Sequence, residues 1–91
     1  MKSKKKLYVL VDNALRRPQK AVQAAHAVAE YLLSHPNTEW SNGTLVLLRT
    51  DDLERYLHHA ESYFREPDLR NKITALTFLG GDEKVKDLRL L

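Results

Sequence analysis

The sequence predicts a single α/β domain. Two short apolar runs rich in β-formers, an alanine-rich amphipathic stretch between them, and a repeat of the strand-then-helix alternation before two closing strands all point that way. Leu7-Tyr8-Val9-Leu10-Val11 is the first run, continuous as in a strand covered on both faces. Asp12-Asn13 ends it with turn chemistry. Pro18, tolerated in the first turn of a helix because its missing N–H has no partner there, opens a helix over 18–34. Ala21, Ala25, Val28 and Leu32 fall at helical spacing and form an apolar stripe expected to face the sheet. Gln19, Gln23, His26 and Glu30 form a second, polar stripe.

His35-Pro36-Asn37 stops that helix, and Trp40-Ser41-Asn42-Gly43 reads as a loop. Thr44–Arg49 is the second strand. Asp51, with Glu54 three positions on, resembles a capping box opening a second helix to Phe64, with Leu53, Tyr56, Leu57, Ala60 and Phe64 on one face. Arg65-Glu66-Pro67-Asp68 is a turn, Lys72–Leu79 a third strand, Gly80-Gly81-Asp82 a break, and Leu88–Leu91 a short last strand. The expected order is β-α-β-α-β-β around a mostly parallel or mixed four-stranded sheet, since strand–helix–strand units pair in parallel through right-handed crossovers.

Ninety-one residues fit one domain, and an apolar share of 43% is ordinary for a packed core. Cysteine is absent, which excludes disulfides, thiolate metal sites and a cysteine nucleophile. With no apolar run of membrane-span length and no signal-type apolar core, the expected location is cytoplasmic. Charge is uneven. Through Arg49 there are eight basic residues against three acids, and from Thr50 onward seven against nine, which suggests an anionic partner for the first half. Residues 1–5 are expected to form a flexible basic tail.

Gln19-Lys20-Ala21-Val22-Gln23-Ala24-Ala25-His26-Ala27 carries the chemistry. It follows a strand and a basic turn, where open α/β sheets bind ligands at a helix N-terminus. Arg16, Arg17 and Lys20 are the candidate phosphate ligands there. A solvated polar stripe is the plain alternative for Gln19, Gln23 and His26. The adjacent His58 and His59 diverge by about 100° on a helix, so no metal site is expected. Ser34, Ser41 and Ser62 have no base at a suggestive spacing. Trp40 is expected to pack over a helix end rather than stack on a base.

Tyr8-Val9-Leu10-Val11, a turn, and Ala21-Val22-Gln23-Ala24-Ala25-His26-Ala27 together resemble the first strand and helix of type II peptidyl-tRNA hydrolases. The likeness continues through Thr44–Leu48, the Asp51–Phe64 stretch, Thr74-Ala75-Leu76 and Leu88-Arg89-Leu90-Leu91, and so spans nearly the whole chain. It implies a three-layer α/β/α sandwich that cleaves the ester joining a peptide to the 3′ end of tRNA, without metal or organic cofactor. It also implies tRNA or peptidyl-tRNA as partner and a homodimer.

Two places depart from the family pattern. The family lysine lies four residues before the glutamine; Gln19 holds that place here, and Lys20 comes one residue late, a rotation of about 100°. The family's aspartate–alanine–glycine–x–threonine loop is replaced by Arg65-Glu66-Pro67-Asp68-Leu69-Arg70-Asn71, in which Asp68 stands nearest the loop aspartate and the loop threonine has no counterpart. Thr74, beyond it, resembles the threonine that opens the third strand. These departures leave a catalytically weak or inactive tRNA- or anion-binding module of the same fold as the alternative. The catalytic candidates are Gln23, His26, Asp68 and Thr74. His26 or Asp68 would activate water, and Gln23, Lys20 or a backbone N–H would hold the oxyanion.

Overall fold

The computed structural model describes residues 5–91. Four of the five residues expected as a basic tail lie outside that range; the fifth, Lys5, places its Nζ 3.1 Å from Glu39. The chain forms β1 (Leu7–Asp12), α1 (Arg17–Ser34), β2 (Leu45–Thr50), a 3-10 segment over Leu53–His59, β3 (Ser62–Glu66), β4 (Lys72–Leu79) and β5 (Arg89–Leu90). Single 3-10 turns at Pro67–Leu69 and Asp82–Lys84 precede β4 and β5.

The sheet is five-stranded and mixed, in the order β3-β4-β1-β2-β5. Only β1 and β2 pair in parallel; the other three pairings are antiparallel. The expected three-layer α/β/α sandwich around a four-stranded sheet is therefore incorrect. A single α-helix covers one face, and the second expected helix does not form. Its first half winds as 3-10 over Leu53–His59 and its second half, Ser62–Glu66, becomes edge strand β3.

Local chemistry and pairing explain the difference. The expected capping box is absent: Asp51 Oδ1 accepts from Asn13 Nδ2 instead, and Asp52 has no side-chain cap bond. Tyr63, Phe64 and Arg65 fit a half-buried strand, and β4 supplies the ladder that claims them. In the remaining seven residues the three-residue period puts Leu53 and Tyr56 in line over the sheet.

β1 is the centre. Leu7, Val9, Leu10 and Val11 are fully buried, and the side chains alternate between faces. Val9 and Val11 meet Ala24 and Ala27 of α1, while Tyr8 and Leu10 join Leu48, Leu76 and Phe78 beneath the 3-10 segment. On that second face the Tyr8 hydroxyl donates to Asp82 at 2.6 Å; burial, then the Asp82 carboxylate, push the phenol up to about 12. Gly80 and Gly81, at φ 77° and 76°, make the reversal after β4 that a Cβ would strain.

The helix is rotated from its expected setting. Its buried residues are Lys20, Gln23, Ala24, Ala27 and Tyr31, whereas Ala21, Ala25 and Leu32 are exposed and Val28 is half-buried against Leu47. Alanines stand on both stripes, so periodicity alone does not choose between them. Tyr31 decides it by packing with Leu7 and Trp40. Trp40 is buried there, with its Nε1 donating to the Thr44 carbonyl at 2.9 Å.

Candidate functional site

The rotation of α1 turns Gln23 inward, with only 4% of its surface exposed, over the end of β4. There the β3–β4 register slips: Phe64 pairs with Ala75 but Arg65 pairs with Ile73, leaving Thr74 as the extra residue of a bulge. Bulges re-aim side chains. Thr74 consequently points to the same face as its neighbour Ala75, toward α1, while Ile73 packs on the other face. The Thr74 hydroxyl donates to Gln23 Oε1 at 2.6 Å, and Gln23 Nε2 donates to Glu66 Oε1 at 2.7 Å. The order is chemically forced, because an ionised carboxylate accepts only and must face the amide nitrogen.

Glu66 ends β3, and its other oxygen accepts from the Asp68 N–H at 3.4 Å, capping the one-turn Pro67–Leu69 segment. Pro67 suits the start of that turn. The result is a groove of about 270 Å³ between α1 and the turn, lined by Gln19, Gln23, Glu66 and Asp68 with apolar walls from Leu15, Pro18, Val22 and Leu69.

Of the four catalytic candidates, Gln23 and Thr74 are directly bonded and Asp68 lies on the rim of the groove Gln23 lines. His26 is apart: it is exposed, one turn further along α1, with its ring flat on Phe64 at 4.4 Å and 7°. That contact accounts for His26 as packing against the edge strand.

Lys20 lies on the same buried face as Gln23, so the one-residue offset does not turn it away. Three residues separate them, a rotation of only about 60°. Its Nζ donates to Asn13 Oδ1 at 2.7 Å, and Asn13 in turn donates to Asp51 at 2.8 Å. Arg16 is the N-cap residue, and its N–H donates to Gln19 Oε1 at 3.2 Å. Arg17 begins α1 and, with Lys20, lines a second hollow on the β2 side.

Sequence reasoning missed Glu66, Asn13 and Arg49. Glu66 carries a local signal, an acceptor before proline at a turn, but nothing in the chain announces that it reaches Gln23. Among the described residues no group of three or more histidines, cysteines or acids is arranged to hold a metal ion, and no helix is long and apolar enough to cross a membrane. No protein-family model matches the chain, and no curated protein matches it either.

Proposed function

We propose that this chain is a peptidyl-tRNA hydrolase-like esterase, with its reactive centre in the Gln23–Asp68 groove. The observation that carries this reading is the Thr74–Gln23–Glu66 hydrogen-bond chain beside an accessible carboxylate. In this reading Asp68 takes a proton from a water in the groove, and the water oxygen attacks the ester carbonyl carbon. Gln23 has two Nε2 protons and gives one to Glu66; the second donates to the developing oxyanion. Thr74 and Glu66 fix the amide in that orientation from its two ends. The ribose oxygen leaves with a proton from solvent, and Arg16, Arg17 and Lys20 hold tRNA phosphate. His26 is not needed for the step.

An N-blocked aminoacyl-tRNA tests this. Free tRNA should appear, and Asp68→Asn should slow its appearance by roughly 10²–10⁴-fold, the usual worth of a positioned base. Absence of turnover by the unaltered chain, or turnover unaffected by Asp68→Asn, ends the reading.

One observation favours the binding-module alternative: Gln23 and Lys20 both bond to groups of the protein itself. In that case tRNA binds with steep salt dependence and is released uncleaved.

A further inference from the structure

On the β2 side of α1 the structure holds cations with no ion-pair partner among the described residues. Lys20 is only 9% exposed, yet its partner is the neutral amide of Asn13. Buried charges ordinarily face an opposite charge. Arg17 and Arg49 line the same hollow, of about 460 Å³, with Leu90 and Leu91 as its apolar wall.

Arg49 is on the α1 side of the sheet because it pairs with Val11 across β1–β2. It also stands directly opposite Arg89 in the antiparallel β2–β5 pair. Like charges directly opposite one another destabilise a sheet. The first turn of α1 has no acidic residue to offset its N-terminal partial charge. The ion pairs among the described residues are Lys5–Glu39 and Lys72–Asp12, and neither involves this group. Arg49 also lines an adjoining hollow with Arg89, Asp51 and Asp87, and neither aspartate lies within ion-pair distance of it.

We propose that Arg17, Lys20 and Arg49 form one phosphate-binding hollow on the β2 flank of α1, which takes a backbone phosphate of single-stranded RNA. A buried ammonium, two guanidinium forks and a helix N-terminus match a phosphate's charge and its several acceptor oxygens. Asn13, held by Asp51, keeps the lysine ammonium in place. The cross-strand Arg49–Arg89 repulsion is relieved when the anion enters. The inference rests on the nucleic-acid part of the proposed function but not on hydrolysis. It adds Arg49 and sets the phosphate across α1 from the Gln23–Asp68 groove.

The probe is a short single-stranded RNA carrying no ester, so binding is read apart from cleavage. Its affinity for the full chain is measured across a salt series. Arg49→Gln and Arg17→Gln should each weaken binding roughly tenfold and make the logarithmic salt slope shallower by about 0.7, the contribution of one neutralised single-strand phosphate. Arg55→Gln, on the 3-10 segment over the opposite face, should change neither. Both test positions can be replaced without opening the core, and thermal unfolding checks this for each variant. If Arg49→Gln and Arg17→Gln bind with the slope of the unaltered chain, or if Arg55→Gln lowers it as much, the hollow is not the phosphate site. RNA binding that responds in this way in a chain without hydrolysis would retain the hollow and discard the esterase. Hydrolysis with no Arg49 dependence of RNA binding would do the reverse.

Discussion

The two flanks of α1 handle polar groups in opposite ways. Toward β3, a connected chain of partners holds the site: Thr74 bonds Gln23, Gln23 bonds Glu66, and Glu66 caps the next turn, while the buried Thr77 hydroxyl further along β4 has no partner. Toward β2, Lys20 rests on a neutral amide, and Arg49 pairs in register with Arg89 with no carboxylate in ion-pair contact among the described residues. The first arrangement fixes a geometry, since an unpaired buried group would cost about 1–3 kcal/mol. The second leaves cations outside any ion pair of the described residues, which suits a flank completed by an anion from outside. On the proposed reading stability and binding separate across one helix, and substitutions on the two sides should then have opposite signatures.

The largest effect belongs to Gln23→Leu. The change keeps the volume but strands the Thr74 hydroxyl and the Glu66 carboxylate, so unfolding in urea should show a loss of about 2–3 kcal/mol. For a domain of this size that lowers the melting temperature by roughly 10 °C or more. A loss below about 0.5 kcal/mol, the range of ordinary surface changes, would mean that the hydrogen-bond chain is not what holds this flank. Next comes Thr74→Val, which removes only the hydroxyl and should cost about 1–2 kcal/mol. The double variant should cost less than the two losses added together, by about 1 kcal/mol, because both remove the same bond. Strict additivity would break the claim that the bulge serves Gln23.

These residues also mark how far the sequence could be read. The bounds of β1, α1, β2 and β4 are set by apolar runs, a proline and a glycine pair, all local signals, and the structure keeps them to within a residue. Residues 51–66 were not legible. Asp51, Glu54 and the helical spacing of Leu53, Tyr56 and Leu57 fit a helix, and only pairing with β4 takes Ser62–Glu66 away from it. The site divides in the same way. Gln23 stands out as an amide in an alanine-rich helix. That Thr74 meets it depends on one unpaired residue in a ladder, and that Glu66 meets it depends on where β3 ends. Which stripe of α1 is buried was also beyond the pattern, because Tyr31 and Trp40 decide it through a contact formed only in the folded chain.

A smaller effect lies further along the β3 flank. His26→Ala removes a ring stacked on Phe64 and should cost about 1 kcal/mol, within the usual worth of such a pair. If the substitution leaves stability unchanged but abolishes turnover of an N-blocked aminoacyl-tRNA, His26 is a reacting group, and the β3 flank extends one turn beyond the groove.

The smallest effect has the opposite sign. Arg49→Gln removes one of two arginines paired directly across β2 and β5. With no ion pair among the described residues to lose, the chain should gain a few tenths of a kcal/mol in urea unfolding at low salt, the scale of a cross-strand like-charge pair. The gain should fade as salt is added, because this repulsion is partly open to solvent and is screened. It should also shrink in the presence of the RNA probe, since the anion already relieves the repulsion in the unaltered chain and stabilises it by binding. A side chain whose removal strengthens the fold but weakens RNA binding cannot be held in place by folding alone. A clear loss of stability would put Arg49 with Gln23, as a residue that the architecture needs, and would erase the contrast between the two flanks.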